Sequence, residues 1–205
     1  MKKLTLTLIA LVIALTATVK TSYAKNIETT LPNIGAFNKI EVHGNVEVLL
    51  AGGEKDQVKV NNDYYAENAL VQTENGVLRI ASYKAEKLVV YVTAAELRSV
   101  EAYDNAAVKS DGRLSLIDLS VELHDSAYAG LNLDNYAANI TVDDHAKADL
   151  SGNIIDYNLS YSHSSTVNRT DLVALNTTET VTTSYQLEKL PHHHPMRIVY
   201  ARFNS

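Results

Sequence analysis

The chain has 205 residues, 24 acidic against 18 basic side chains, a formal net charge of −6, and neither cysteine nor tryptophan. That length suits one domain. The charge disfavours nucleic acid and anionic membranes as partners, and the missing thiols exclude disulfides, cysteine chemistry and a lipidated lipoprotein cysteine.

The N-terminus reads as a secretory signal peptide over residues 1–24. Met1-Lys2-Lys3 is a short basic start, Leu4 to Val19 is an apolar run closed by Lys20, and Ser22-Tyr23-Ala24 is a small-residue cleavage site. The chain is therefore expected to be exported to the periplasm, the cell surface or the medium, with no transmembrane span after cleavage. Removing residues 1–24, which hold three lysines and no acid, takes the net charge from −6 to −9. Such a surface admits divalent cations or basic partners.

Residues 25–36 form a lead-in with Pro32 and Gly35. Phe37 then opens a strand-rich block. Ile40, Val42, Val46, Val48 and Leu50 alternate with Glu41, His43 and Glu47, with turns at Gly44-Asn45 and Gly52-Gly53. Val58-Lys59-Val60 is a short strand, and Asp63 to Leu70 is one helical turn or an irregular link. Val71-Gln72-Thr73 and Val77-Leu78-Arg79-Ile80 flank Glu74-Asn75-Gly76, a hairpin signal. Leu88 to Thr93 is a buried-type strand.

A repeat follows from Val100 to Arg169. The lead residues Val100, Val121 and Val142 are spaced by 21, and a weaker copy starts at Tyr161. Leu119, Ile140 and Leu159 lie two places upstream of a lead residue. Ala106, Ala127, Ala148 and Val167 lie six places downstream, and Val108, Ala129 and Leu150 eight places downstream. Asp111-Gly112, Ala129-Gly130 and Ser151-Gly152 mark turns. A fixed period of this length in alternating β-formers is the mark of a solenoid. The fold expected is all-β: a single-stranded parallel β-helix over residues 37–190, right-handed by the usual crossover rule, with three short strands in each coil of about 21 residues. Beyond the repeat, Leu172 to Leu175, Thr177 to Thr183 and Tyr185 to Leu187 read as further strand. Residues 191–205 read as a loop, Pro191-His192-His193-His194-Pro195, and a capping strand, Arg197 to Phe203.

The block Phe37-Asn38-Lys39-Ile40-Glu41-Val42-His43-Gly44-Asn45-Val46-Glu47-Val48, followed by Val58-Lys59-Val60 and Val77-Leu78-Arg79-Ile80, resembles the start of the head GIN domain family. Its members are labelled autotransporter adhesins and come largely from Bacteroidetes-type bacteria. Asp104-Asn105-Ala106 and Asp125-Ser126-Ala127 stand where that family has turns such as Gly-Ser-Ala, with aspartate in place of glycine. The resemblance covers about residues 36–187. It implies a secreted β-helical domain and carries no functional residue.

The repeat also makes polar ladders. Glu101, Glu122 and Asp143 follow the lead residues by one place, and Tyr103, His124 and His145 by three. With the lead residue inward, both columns point outward on one face. Stacked carboxylates could hold a divalent cation and stacked imidazoles a transition metal, although a solvated polar face is the plainer reading of such ladders. No resident cofactor is expected. Asp143-Asp144 and Asp149 are the carboxylates a carbohydrate-active enzyme could use, but no nucleophile motif, phosphate loop or redox motif accompanies them. The sequence matches Asn168-Arg169-Thr170 and Asn176-Thr177-Thr178 to a glycosylation pattern are expected to be empty in a bacterial protein. The expected function is an exported, non-enzymatic, adhesin-like module that recognises a glycan or envelope component through the ladder and can form a homo-oligomer. The alternatives are a β-helix enzyme acting on carbohydrate and a purely structural envelope protein.

Overall fold

The structure, a computed structural model, describes residues 28–32, 34–61 and 69–182. The expected signal peptide, most of the 63–70 link, and the expected elements at 185–187, 191–195 and 197–203 lie outside the described residues.

Strands form where the sequence alternates. β2 (Lys39–Gly44), β3 (Val46–Gly52), β6 (Val77–Ser82) and β7 (Leu88–Ala94) bury every second residue, and that inner set is Val, Ile and Leu with few exceptions. β1 (Glu28–Thr30), β4 (Gln57–Asn61) and β5 (Leu70–Glu74) lie beside them. Then come β8 (Ser99–Ala102), β9 (Ala107–Leu114) and β10 (Asp118–Leu123). Three long strands close the described chain: β11 (Tyr128–Val142), β12 (Lys147–Ser162) and β13 (Thr166–Thr182).

All belong to one 13-stranded sheet in the order β1-β4-β7-β3-β9-β11-β10-β8-β2-β6-β5, with β12 on β11 and β13 on β12. The sheet folds over at the long strands. The first half of β11 pairs with β9 and its second half with β10, so each long strand runs up one limb and down the other. The inner faces of both limbs meet in one core that runs from Phe37 to Leu159.

This is not the single-stranded parallel β-helix expected from the repeat. It is a mixed sheet bent into an open half-barrel. β1 and β7 run antiparallel to β4, and β5 runs antiparallel to β6. The cause is local. Asn75 and Gly76, with φ of 52° and 78°, reverse the chain in a hairpin, and the Gly52-Gly53 turn sends β4 back along β7. A coil contains two limbs rather than three short strands.

The parallel part of the sheet has an uneven stagger. Val121 lies opposite Val100, but its next neighbour is Ile140, not Val142, which lies opposite Leu123. The expected alignment was therefore two residues out from the third copy onward. A slip of two keeps every inward residue inward, so alternation could not reveal it. The buried alanines that close the turns are Ala106, Ala127 and Ala146; Ala148 instead pairs with Ala129.

Candidate functional site

The turns that join the limbs set the site's spacing. Asp104, Asp125 and Asp144 occupy equivalent positions with φ of 59°, 58° and 53°. Aspartate tolerates this left-handed region better than most side chains. Gly44 takes the same place at the end of β2 with φ of 80°, where a Cβ would come within 2.2 Å of the Ser82 carbonyl oxygen. The backbone N–H of Gly44 donates to the Asp104 carboxylate at 3.0 Å, that of Asp104 to Asp125 at 3.1 Å, and that of Asp125 to Asp144 at 3.1 Å. Each carboxylate thus satisfies the turn amide of the neighbouring rung.

Just before these turns, the outer faces of β2, β8 and β10 carry one pattern three times. Glu41-Val42-His43, Glu101-Ala102-Tyr103 and Glu122-Leu123-His124 each place a carboxylate and a ring two residues apart on the same side. Glu41 lies beside Glu101, and Glu101 beside Glu122. The rings stack along the same axis: His43 on Tyr103 at 4.5 Å and 4°, Tyr103 on His124 at 4.8 Å and 11°. Those distances are close to the spacing between paired strands, so the sheet itself sets the stack.

Like charges opposite one another destabilise a sheet. Here cations are interleaved. Lys39 bonds Glu101, Arg79 Nε lies 3.3 Å from Glu41, and His43 Nε2 donates to Glu41 at 2.8 Å. The Tyr103 hydroxyl reaches Glu101 at 3.4 Å, and His124 Nε2 lies 4.0 Å from Glu122. The hydrogen bond from His43 holds the Glu41 carboxyl below the usual carboxylate range; partial burial opposes it, and Arg79 and Lys39 reinforce it. Partial burial and the neighbouring Glu101 push the Tyr103 phenol up. The strip is therefore a row of partly buried carboxylates beside a row of stacked rings.

Of the six residues expected in the ladders, Glu101, Glu122, Tyr103 and His124 come together. Asp143 does not extend the carboxylate column, whose next position is Thr141; it sits level with His124 and accepts a hydrogen bond from Thr182 at 3.4 Å. His145 lies in the exposed turn after Asp144, away from the rings. Among the described residues no group of three or more His, Asp or Glu side chains is placed to hold a metal ion. Asp144 and Asp149 are engaged structurally, Asp144 by the Asp125 amide and Asp149 by the Tyr128 hydroxyl at 2.8 Å.

Glu41, His43, Lys39 and Arg79 were not expected here. The signal was present: Glu41-Val42-His43-Gly44-Asn45 has the same order of types as Glu101-Ala102-Tyr103-Asp104-Asn105. The antiparallel excursion through β4 to β7 separates the two copies and hides the repeat.

Over residues 36–188 the chain matches the family described as "Putative auto-transporter adhesin, head GIN domain". The chain belongs to this family. An adhesin family goes with an exported or cell-surface protein. Two solved structures from Parabacteroides distasonis share the fold. One, described as "Putative lipid binding protein", is 9% identical with a TM-score of 0.61, covering 77% of this chain and 79% of that one. The other, described as a "putative adhesin", is 16% identical with a TM-score of 0.55, again covering 77% of this chain and 79% of that one. A comparison with curated proteins gives no match. No helix among the described residues is long and apolar enough to cross a membrane.

Proposed function

We propose that this chain is an exported, non-enzymatic binding module of the adhesin type, and that the strip on β2, β8 and β10 recognises a glycan or a similarly hydroxyl-rich envelope component. The observation that carries this is the threefold repeat of carboxylate and ring in register. An ionised carboxylate accepts hydrogen bonds and donates none, so it selects O–H and N–H donors. Rings stacked face to face present their edges beside those acceptors, and the C–H, N–H and O–H groups of those edges suit the oxygens of a sugar. Identical rungs at strand spacing suit a ligand that itself repeats. The name of one structural neighbour refers to lipid; here the half-barrel interior is filled by Val, Ile and Leu side chains and the strip is polar, which favours a polar ligand.

Lys39 already neutralises Glu101, so recognition is direct and needs no bridging calcium. The test is a glycan-array screen of the full chain with and without calcium, repeated with Glu122→Ala/His124→Ala. The expected result is selective binding, indifferent to calcium, that weakens about tenfold or more in the variant, the scale of one lost charge-assisted hydrogen bond. The unfolding midpoint should stay near that of the parent. Absence of any glycan signal, or binding indifferent to the two substitutions, would overturn the proposal.

A further inference from the structure

β13 ends the described sheet. It pairs with β12 on one side and, among the described residues, with nothing on the other. An edge of 17 residues that has no partner among the described residues, is rich in threonine and is free of lysine and proline is a template for another strand.

The strand is also close to self-complementary. Its midpoint is Ala174, eight residues from either end. Reflected about that point, Val173 falls opposite Leu175 and Asp171 opposite Thr177, and the bulge between Asn168 and Asp171 sets Arg169 diagonally beside Glu179. Arg169 and Glu179 already bond to each other within one chain, reaching from the two limbs at this end of the half-barrel. Val173 and Leu175 stand 66% and 77% exposed at the bend between the limbs. Leu175 is the last rung of an outward apolar column, Ile117, Tyr136, Ile155 and Leu175, that runs along the bend from β10 and stops at the open edge.

We propose that two copies of this chain pair through their β13 edges, antiparallel, about a two-fold axis at Ala174. In this arrangement the bulge leaves Arg169 of each copy diagonally beside Glu179 of the other, and two intrachain ion pairs merge into a four-charge cluster. Val173 packs beside Leu175 of the second copy, and the apolar column runs on across the junction. A two-fold at the bend exchanges the limbs, so the first limb of one copy continues as the second limb of the other. The two β2–β8–β10 strips then face opposite sides. A single interface of this kind is isologous and closes, giving a dimer rather than a fibre. The alternative occupant is the chain's own segment after β13, residues 183–205, and an edge taken by it would leave the protein monomeric.

The test is sedimentation velocity on the full chain across the micromolar range. A dimer is expected. Val173→Lys/Leu175→Lys sets like charges against each other across the axis at two exposed positions. It should weaken dimerisation about a hundredfold, from two unfavourable contacts of the order of a tenfold loss each, without lowering the unfolding midpoint of the monomer. Arg169→Glu should weaken the dimer, and Arg169→Glu/Glu179→Arg should restore it. The chain has no cysteine, so introduced thiols report the register cleanly. An equimolar mixture of Val173→Cys and Leu175→Cys proteins should give mainly the mixed disulfide on mild oxidation, because directly opposed residues lie within bridging distance. A monomer at all concentrations, a dimer indifferent to the lysine pair, or disulfides formed only between like variants would each overturn the proposal.

Discussion

Tyr157 is 1% exposed, and its hydroxyl has no hydrogen-bond partner from the described chain. Burial pushes its pKa up to about 12, with Arg169 lowering it and Glu179 raising it to smaller extents, so the phenol stays neutral. An unsatisfied buried hydroxyl costs about 1–3 kcal/mol, while the ring itself fills the core. Tyr157→Phe should therefore raise the unfolding free energy by about 1 kcal/mol in urea titration. A loss of that size instead would mean that the hydroxyl is held by a group the described chain does not supply. Glu41 gives the opposite kind of prediction. Its pKa is lowered by the hydrogen bond from His43 and then by Arg79 and Lys39, against partial burial. The fold thus favours the ionised form. That contribution is complete above the unfolded-state pKa and disappears as pH falls through the lower, folded-state value. Glu41→Gln should cost stability near neutral pH, and its gap from the parent should close on acidification below the ordinary carboxylate range. A gap that stays constant with pH would show that the carboxylate's charge contributes nothing.

The turns are where element-scale stability is concentrated. Asp125 adopts a left-handed φ and accepts the amide of Asp104, while its own amide donates to Asp144. Asp125→Ala strains the backbone and strands one amide, at a cost of about 1–3 kcal/mol. Asp125→Asn keeps both the conformation and an acceptor oxygen and should recover most of that loss; equal damage from both would show that the charge, not the geometry, is what the turn needs. These turns also show what a sequence can disclose. The hairpin at Asn75-Gly76 was legible because only a few residue types take those angles. The parallel stagger of the repeat was legible in outline because turn aspartates, alanines and apolar residues recur together. Register from the third copy onward was not, since a two-residue slip leaves every face unchanged and only the pairing of Val121 with Ile140 exposes it. Strand direction was legible at that hairpin, which sets β5 antiparallel to β6, but not at β4. Alternation says which face is buried and nothing about whether the neighbour runs parallel, so β4 looked like any other rung. The same blindness split the carboxylate–ring strip: Glu101, Tyr103, Glu122 and His124 came together through their repeat, while Glu41 and His43 were left on the far side of the antiparallel excursion.

At the scale of the whole molecule, half-barrel and solenoid differ in how they come apart. A solenoid of weakly coupled coils can lose its terminal coils before the rest, because each contacts only its neighbours. Here one core joins both limbs and both pairing directions. Ile80, from the antiparallel end, and Ile140, from the parallel stack, are each 0–1% exposed and belong to the same cluster. Either replaced by alanine should cost about 2–5 kcal/mol. Both losses should appear in a single transition whose midpoint moves while its slope is unchanged, since the slope follows the surface exposed on unfolding. Far-ultraviolet dichroism and tyrosine fluorescence, followed together in urea, should trace one curve for the parent and for each variant. If Ile140→Ala instead splits the curve, with the β11–β13 stack melting first and Ile80→Ala shifting only the second step, then the two ends do not share a cooperative core. The carboxylate–ring strip, which draws Glu41 from one end and Glu122 from the other, would then rest on two units rather than one rigid surface.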